Sequence, residues 1–222
     1  MALDMLFNLL TKALWQTIQM VAVAGFIGSV IGLPLGVFLA TSGKGELYEA
    51  PLINRVLGLI VNAARSTPFI ILVVAIIPLT RLLAGTSIGT AAAIVPLTIA
   101  TIPFVARLVE ASIREVDKGL IEAARAMGAT PMQIVTKVLL AESRSGIALA
   151  LTMTVVSLIG YSAMVGAVGG GGLGDLGIRY GYQRFMPDVM LAVVVVLILL
   201  VQAVQSVGDA LARRFDKRNR KS

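Results

Sequence analysis

The chain has 222 residues, of which 57% are hydrophobic and 14% charged, with a formal net charge of +7. Soluble domains average about 45–50% apolar and about 25% charged residues, so this composition is that of a membrane protein. It contains no cysteine and no histidine, which excludes disulfides, zinc or iron–sulfur centres built on thiolates, and histidine proton relays.

The first apolar stretch covers residues 13–40, behind an N-terminal segment 1–12. A crossing needs about 20 residues, so this stretch is long enough to tilt. Met1–Leu10 carries no basic run ahead of its apolar residues, and no cleavable leader is expected there. Gly28, Gly32 and Gly36 recur at every fourth position, a stripe that lets a neighbouring backbone come close. Pro34 is expected to kink the helix. Residues 41–54 read as a polar loop. Gly43-Lys44-Gly45 falls short of a P-loop, because Phe38 stands where the first glycine belongs and Gly45 where Ser or Thr belongs.

The second apolar stretch, 55–80, is interrupted by Asn62, Arg65 and Pro68. Arginine at a helix centre costs about 2.5–3.5 kcal/mol. Two readings of Arg65 therefore stand: pairing inside the bundle with Glu110, or snorkelling to the headgroups. The third stretch, 88–106, holds Pro96 and Pro103. Prolines free carbonyls that must be satisfied inside the protein, which favours a cavity-lining helix. Residues 107–145 are rich in charge. The fourth stretch is 146–168, with Tyr161, Ser162 and Met164 near its far end as candidates for narrowing a pathway or for plain helix packing. A glycine-rich loop, 169–187, precedes the fifth stretch, 189–208, and a basic tail covers 210–222. Gly169, Gly171 and Gly174 fit G-x-G-x-x-G, but an apolar span rather than a strand precedes them, so no dinucleotide site is read there.

Basic residues set the orientation. Segment 107–145 carries Arg107, Arg114, Lys118, Arg125, Lys137 and Arg144, and the tail carries Arg213, Arg214, Lys217, Arg218, Arg220 and Lys221. The opposite side has only Lys12, Arg81, Arg179 and Arg184. Five crossings then place segment 107–145 and the C-terminus in the cytoplasm, with the N-terminus outside. These basic residues flank spans rather than forming one soluble face, so lipid and not nucleic acid is their expected partner.

Segment 107–145 contains the most informative local pattern. Glu122 to Met127 are mostly strong helix formers. Gly128 stands where a helix end takes a left-handed residue. Thr130 is placed to cap a second helix that has Pro131 at its first position. Met132, Val135, Val138 and Leu139 follow at helical spacing. Two short helices meeting at a fixed angle form a rigid knob.

This run resembles the cytoplasmic "EAA" signature of ABC importer permeases, Glu-Ala-Ala-x3-Gly-x9-Ile-x-Leu-Pro. Glu122-Ala123-Ala124 and Gly128 match, whereas Val138 replaces Ile and Ala141 replaces Pro. Without that proline the helix is expected to run on toward the next span. Arg65-Ser66-Thr67-Pro68-Phe69, Ala93-Ile94-Val95-Pro96-Leu97-Thr98, Gly160-Tyr161-Ser162-Ala163-Met164 and Gly171-Gly172-Leu173-Gly174 are similar to the methionine-uptake branch.

The resemblance implies an all-α integral membrane protein of the type I ABC importer permease fold, with five transmembrane helices, working as a homodimer in the bacterial inner membrane. It implies two separate ATP-binding subunits that carry ATP and Mg, an extracytoplasmic substrate-binding protein, and no cofactor, metal or catalytic residue on this chain. Glu122, Ala123, Ala124, Met127, Gly128 and Ala129 become the residues that couple to the ATPase. The competing class is an ion-coupled secondary transporter, which places acids in mid-span; none of the acids falls there in the stretches above.

Overall fold

A computed structural model describes residues 3–215, and within these every regular element is helical. The helices are α1 (Leu3–Thr41), α2 (Pro51–Ser66), α3 (Phe69–Ala75), α4 (Ile77–Ala84), α5 (Thr90–Arg114), α6 (Lys118–Ala126), α7 (Pro131–Gln133), α8 (Leu140–Glu142), α9 (Arg144–Gly166), α10 (Gly172–Leu176) and α11 (Pro187–Phe215). Two π-helical turns, Ile134–Leu139 and Gly177–Tyr182, follow α7 and α10. Lys217, Arg218, Arg220 and Lys221 of the expected tail lie outside the described residues.

Helices α1, α5, α9 and α11 are each long and apolar enough to cross a membrane. The second stretch differs from its sequence reading. Helices α2 and α3 bend sharply at their break, where Thr67 and Pro68 are non-helical, so 55–80 is not one straight helix. Pro68 has no N–H to continue the ladder, and it restricts Thr67 before it.

Three further boundaries move for physical reasons. Segment 1–12 is not separate: α1 begins at Leu3, because Leu6, Leu9, Leu10 and Ala13 pack with Leu173, Leu176, Val189 and Val193. At 39 residues, α1 is about 58 Å long at about 1.5 Å per residue. Helix α5 runs eight residues beyond the expected end at 106, reaching Arg114. Its charges there pair along the helix, Arg107 with Glu110 at i, i+3 and Glu110 with Arg114 at i, i+4, so the helix continues where its apolar run stops. The glycine-rich loop is partly ordered as α10 and a π-turn. Pro34, Pro96 and Pro103 all lie inside continuous helices.

The chain forms two compact units. One comprises the described residues up to Gly28 with Thr67–Thr101 and Thr154–Gln205. Its core joins Met20, Ala24, Phe69, Val73, Leu97, Leu158 and Ile159. The other comprises Ser29–Ser66, Ile102–Met153 and the described residues from Ser206. Its core joins Ala40, Val105, Val109, Ile113, Ala124, Ile134, Val135 and Leu139. Helix α11 leaves Leu191, Val195, Ile198 and Leu199 exposed, as a lipid-facing helix does.

The glycine stripe is a contact. A Cβ at Gly36 would lie 2.5 Å from the Ala106 carbonyl oxygen and 2.8 Å from Val109 Cβ. One at Gly32 would lie 2.8 Å from the Ile102 carbonyl oxygen. By contrast, a Cβ at Gly58 in α2 meets nothing within 4 Å. Gly36→Ala is therefore expected to destabilise by about 1–3 kcal/mol through overpacking, while Gly58→Ala stays within about 1 kcal/mol of the parent. Thermal unfolding in detergent checks the pair, and equal midpoints for the two variants would contradict the contact.

Candidate functional site

The knob is built by local chemistry. Asp117 caps α6 by accepting from the Gly119 N–H at 2.6 Å. At the other end the Gly128 N–H donates to the Arg125 carbonyl at 2.9 Å and the Ala129 N–H to the Ala124 carbonyl at 3.1 Å. This is the Schellman pattern, and Gly128 has the left-handed backbone it requires, with φ 79°. Thr130 follows at once as an N-cap. Its hydroxyl accepts from the Gln133 N–H at 3.3 Å, and Gln133 Oε1 accepts from the Thr130 N–H at 2.9 Å. Pro131 takes the first helical position. A Schellman end joined directly to a capping box leaves the 126–133 turn little conformational freedom.

The knob has an anchored side and a bare side. Ala124 is buried with Ile134, Val135 and Leu139, and Ile121, Ala129 and Leu47 pack around them. Glu122, Ala123, Met127 and Gly128 are exposed, Met127 at 81%. The Glu-Ala-Ala run is thus divided: Ala124 holds the helix down, while Glu122 and Ala123 face outward. Leu120 and Met132 are exposed beside them, and sequence reasoning missed both as surface residues. Helical spacing puts Met132 on the same face as Val135 and Leu139. The π-turn at Ile134–Leu139 resets the register, so that Ile134 takes the buried place instead. The helix that Ala141 was expected to prolong does run to Glu142. Ser143 interrupts it for one residue, its hydroxyl donating to the Leu139 carbonyl at 2.6 Å, before α9 starts.

A cavity of about 390 Å³ lies beside α6. Its rim carries Glu46, Arg114, Lys118, Glu122 and Arg125, over apolar side chains that include Leu47, Ile113 and Leu139. The arrangement offers both signs of charge around an apolar floor and no nucleophile–base pair.

Of the two readings of Arg65, the pair with Glu110 is not formed. Both oxygens of the Glu110 carboxylate are taken by its own helix: Arg107 hydrogen-bonds one, and Arg114 reaches the other at 2.8 Å. The Glu110 side chain is only 6% exposed. Neighbours at i−3 and i+4 reach it without any tertiary rearrangement, which explains why they prevail over Arg65. Arg65 is exposed, with its guanidinium 6.0 Å from the centre of the Phe104 ring.

The three pathway candidates have different environments. Tyr161 stacks on Phe69, with ring centres 4.4 Å apart. Ser162 is buried and donates to the Ile159 carbonyl at 2.7 Å. Only Met164 stands exposed and free of a packing role in the core. In the segment after α9, Asp175 and Arg179 form a hydrogen-bonded ion pair that raises the Arg179 pKa above its ordinary value.

Gly128 gives a direct test of the turn. Nothing lies within 4 Å of a Cβ there, so a side chain costs only backbone strain, about 1–2 kcal/mol. Gly128→Val is expected to speed hydrogen exchange of the amides in 118–133 about 5- to 30-fold. Gly128→Asn should have a smaller effect, because asparagine tolerates the left-handed region. Unchanged exchange in the Val variant would contradict the left-handed turn.

Comparison with known proteins adds one family, two relatives and two solved structures. Residues 32–221 match the family described as "Binding-protein-dependent transport system inner membrane component". A Vibrio cholerae protein named "Probable D-methionine transport system permease protein MetI" is 57% identical over 211 residues, covering 95% of this chain and 94% of that relative. The Escherichia coli K12 protein named "D-methionine transport system permease protein MetI" is 54% identical over 158 residues, 71% of this chain and 73% of its own length. Among solved structures, a chain of the MetNI methionine ABC transporter in an inward-facing conformation superposes with a TM-score of 0.94 at 50% identity. That match covers 98% of this chain and all of the other. A chain from an amino acid ABC transporter shares the fold at a TM-score of 0.77 and 22% identity.

Proposed function

This chain belongs to the family of binding-protein-dependent transport system inner membrane components, and from that premise we propose that it is the permease subunit of an ATP-driven methionine importer. It has the type I ABC importer permease fold. It forms the membrane pathway and leaves ATP hydrolysis to a separate subunit. The observation that carries the coupling role is the bare side of the knob: an exposed apolar and acidic surface at Glu122, Ala123, Met127 and Gly128, fixed by two adjoining caps and bolted to the core through Ala124.

In the mechanism we infer, two copies of the chain form the pathway, and each knob sits in a groove of one ATP-binding subunit, where ATP and Mg are held. Nucleotide-driven closure brings the two subunits together. A rigid knob converts that approach into a displacement of the helices it is bolted to, so the membrane halves rock as rigid bodies and the pathway opens outward. Ala123 lets a groove wall approach, Met127 adapts its flexible side chain to it, and Glu122 offers a charge to a basic residue. Ala129 and Ala124 keep the turn seated. Met164 narrows the far end of the pathway, with Tyr161 and Ser162 as its support. An extracytoplasmic binding protein delivers methionine there.

The bent pair α2–α3 counts as the fifth crossing in this reading. Five crossings and the positive-inside bias support a reading in which the knob and C-terminus are cytoplasmic and the N-terminus is outside. Buried Glu110 in α5 does not revive the ion-coupled alternative, since arginine donors occupy both of its oxygens and leave neither for a coupling ion.

Reconstitution tests the proposal. The chain alone in proteoliposomes should hydrolyse no ATP. With its ATP-binding subunit and binding protein it should accumulate methionine only when ATP is supplied. Uptake driven by an ion gradient without the ATP-binding subunit would overturn the reading. In this cysteine-free chain, Thr130→Cys should react with an impermeant thiol reagent only from the cytoplasmic side, and Thr86→Cys only from the outside.

A further inference from the structure

We propose that Gln16 and Thr17 of α1 are positioning residues that latch segment 169–182 and thereby hold closed the end of the pathway that carries Met164. This rests on the permease reading above, and it concerns residues that precede residue 32, where the family match begins.

Helix α10 has no side-chain cap from its own N-terminal residues. Its first N–H groups are served from far away in the sequence. Gly172 N–H donates to Gln16 Oε1 at 3.0 Å, and Leu173 N–H donates to Thr17 Oγ1 at 2.9 Å. Two consecutive side chains of one helix thus satisfy two consecutive orphan donors of another. Thr17 is 1% exposed and Leu173 0%, so water cannot replace the second bond without the segment moving, and breaking it leaves a buried group unpaired.

The glycines show how closely the latch fits. Gly171 and Gly172 both have positive φ, and a Cβ on Gly172 would lie 2.7 Å from Thr17 Oγ1 and 2.8 Å from Met20 Cε. On its other side, α10 lies against the last turn of α9. A Cβ on Gly174 would meet the Ala163 backbone, 2.5 Å from its Cα, and one on Gly166 would come 2.6 Å from the Gly174 carbonyl carbon. Ala163 and Gly166 bracket Met164. The Gly89 N–H adds a tie to the Gly169 carbonyl at 2.9 Å. Helix α10 is therefore a wedge between α1 and the end of α9, and the Gln16 and Thr17 acceptors set its position. Release of the two bonds frees the backbone that holds Met164 in place.

The test uses the assembled transporter in proteoliposomes, with Met164→Cys as the reporter. Thr17→Val removes the acceptor at nearly constant shape, Thr17→Ser keeps it, and Gln16→Met removes the other acceptor at similar length. Loss of both bonds should favour the open end by about 5- to 150-fold, taking each bond at its usual net worth. The expected results are faster labelling of the reporter thiol by an impermeant reagent from outside, raised ATP turnover without the binding protein, and fewer methionine molecules moved per ATP. Thr17→Ser should restore all three. If Thr17→Val does not assemble, Gln16→Met alone must move the three readouts in the same direction.

Parental labelling, basal turnover and coupling in an intact Thr17→Val, Gln16→Met transporter would overturn the latch and leave only a helix cap. That result differs from failure of the permease reading, in which the parent complex itself shows no ATP-driven uptake.

Discussion

Inside a lipid bilayer helices gain nothing by hiding leucine from its surroundings, because lipid tails are as apolar as the leucine, so contact between them must come from shape. This chain meets that constraint with glycine. Gly28 lies against Thr101, Gly32 against the Ile102 carbonyl and Gly36 against that of Ala106, three contacts at intervals of four residues along α1. Gly208 meets Thr152 in the same way. At each place a single methyl group would occupy space already taken by backbone or by the stem of a side chain. Packing of this kind has few small adjustments available, so displacement of one helix is passed to its neighbour.

The same surroundings leave no water for stray polar groups. Within α5, Thr98 and Thr101 return their hydroxyls to the Ile94 and Leu97 carbonyls, and Ser112 does the same with Leu108. Glu110 is charge-matched by arginines on its own helix. Self-sufficient helices of this kind move as units, which is what rigid-body coupling requires. Helix α6 and its turn are rooted through Ala124 among Val109, Ile113 and Leu139 of one core, as the proposed coupling role needs.

The sequence was most legible where structure is decided locally. Gly128, Thr130 and Pro131 announce their turn within a few residues, and the observed hydrogen bonds are those the pattern calls for. The glycine stripe was equally readable, because its period is that of the helix. Features that depend on partners distant in sequence were not. Arg65 and Glu110 looked like complementary charges, but helical neighbours satisfied Glu110 first. Met132 fits a regular helical period, and only the π-turn after it turns that residue outward. The latch joins residues 156 positions apart, and no local propensity points to Gln16 and Thr17 as caps. The break at Thr67–Pro68 was signalled by its proline, yet hydropathy carries straight across it.

We propose that the bare side of the knob receives the ATP-binding subunit. Cysteine crosslinking tests it most directly, since the chain has no cysteine of its own. In the assembled, transport-competent complex, Met127→Cys treated with a short thiol–amine crosslinker should join the permease to the ATP-binding subunit in high yield. Ser162→Cys, buried in α9, should not. A complex that still hydrolyses ATP and imports methionine, yet gives no crosslink from position 127, would show that the ATP-binding subunit docks elsewhere.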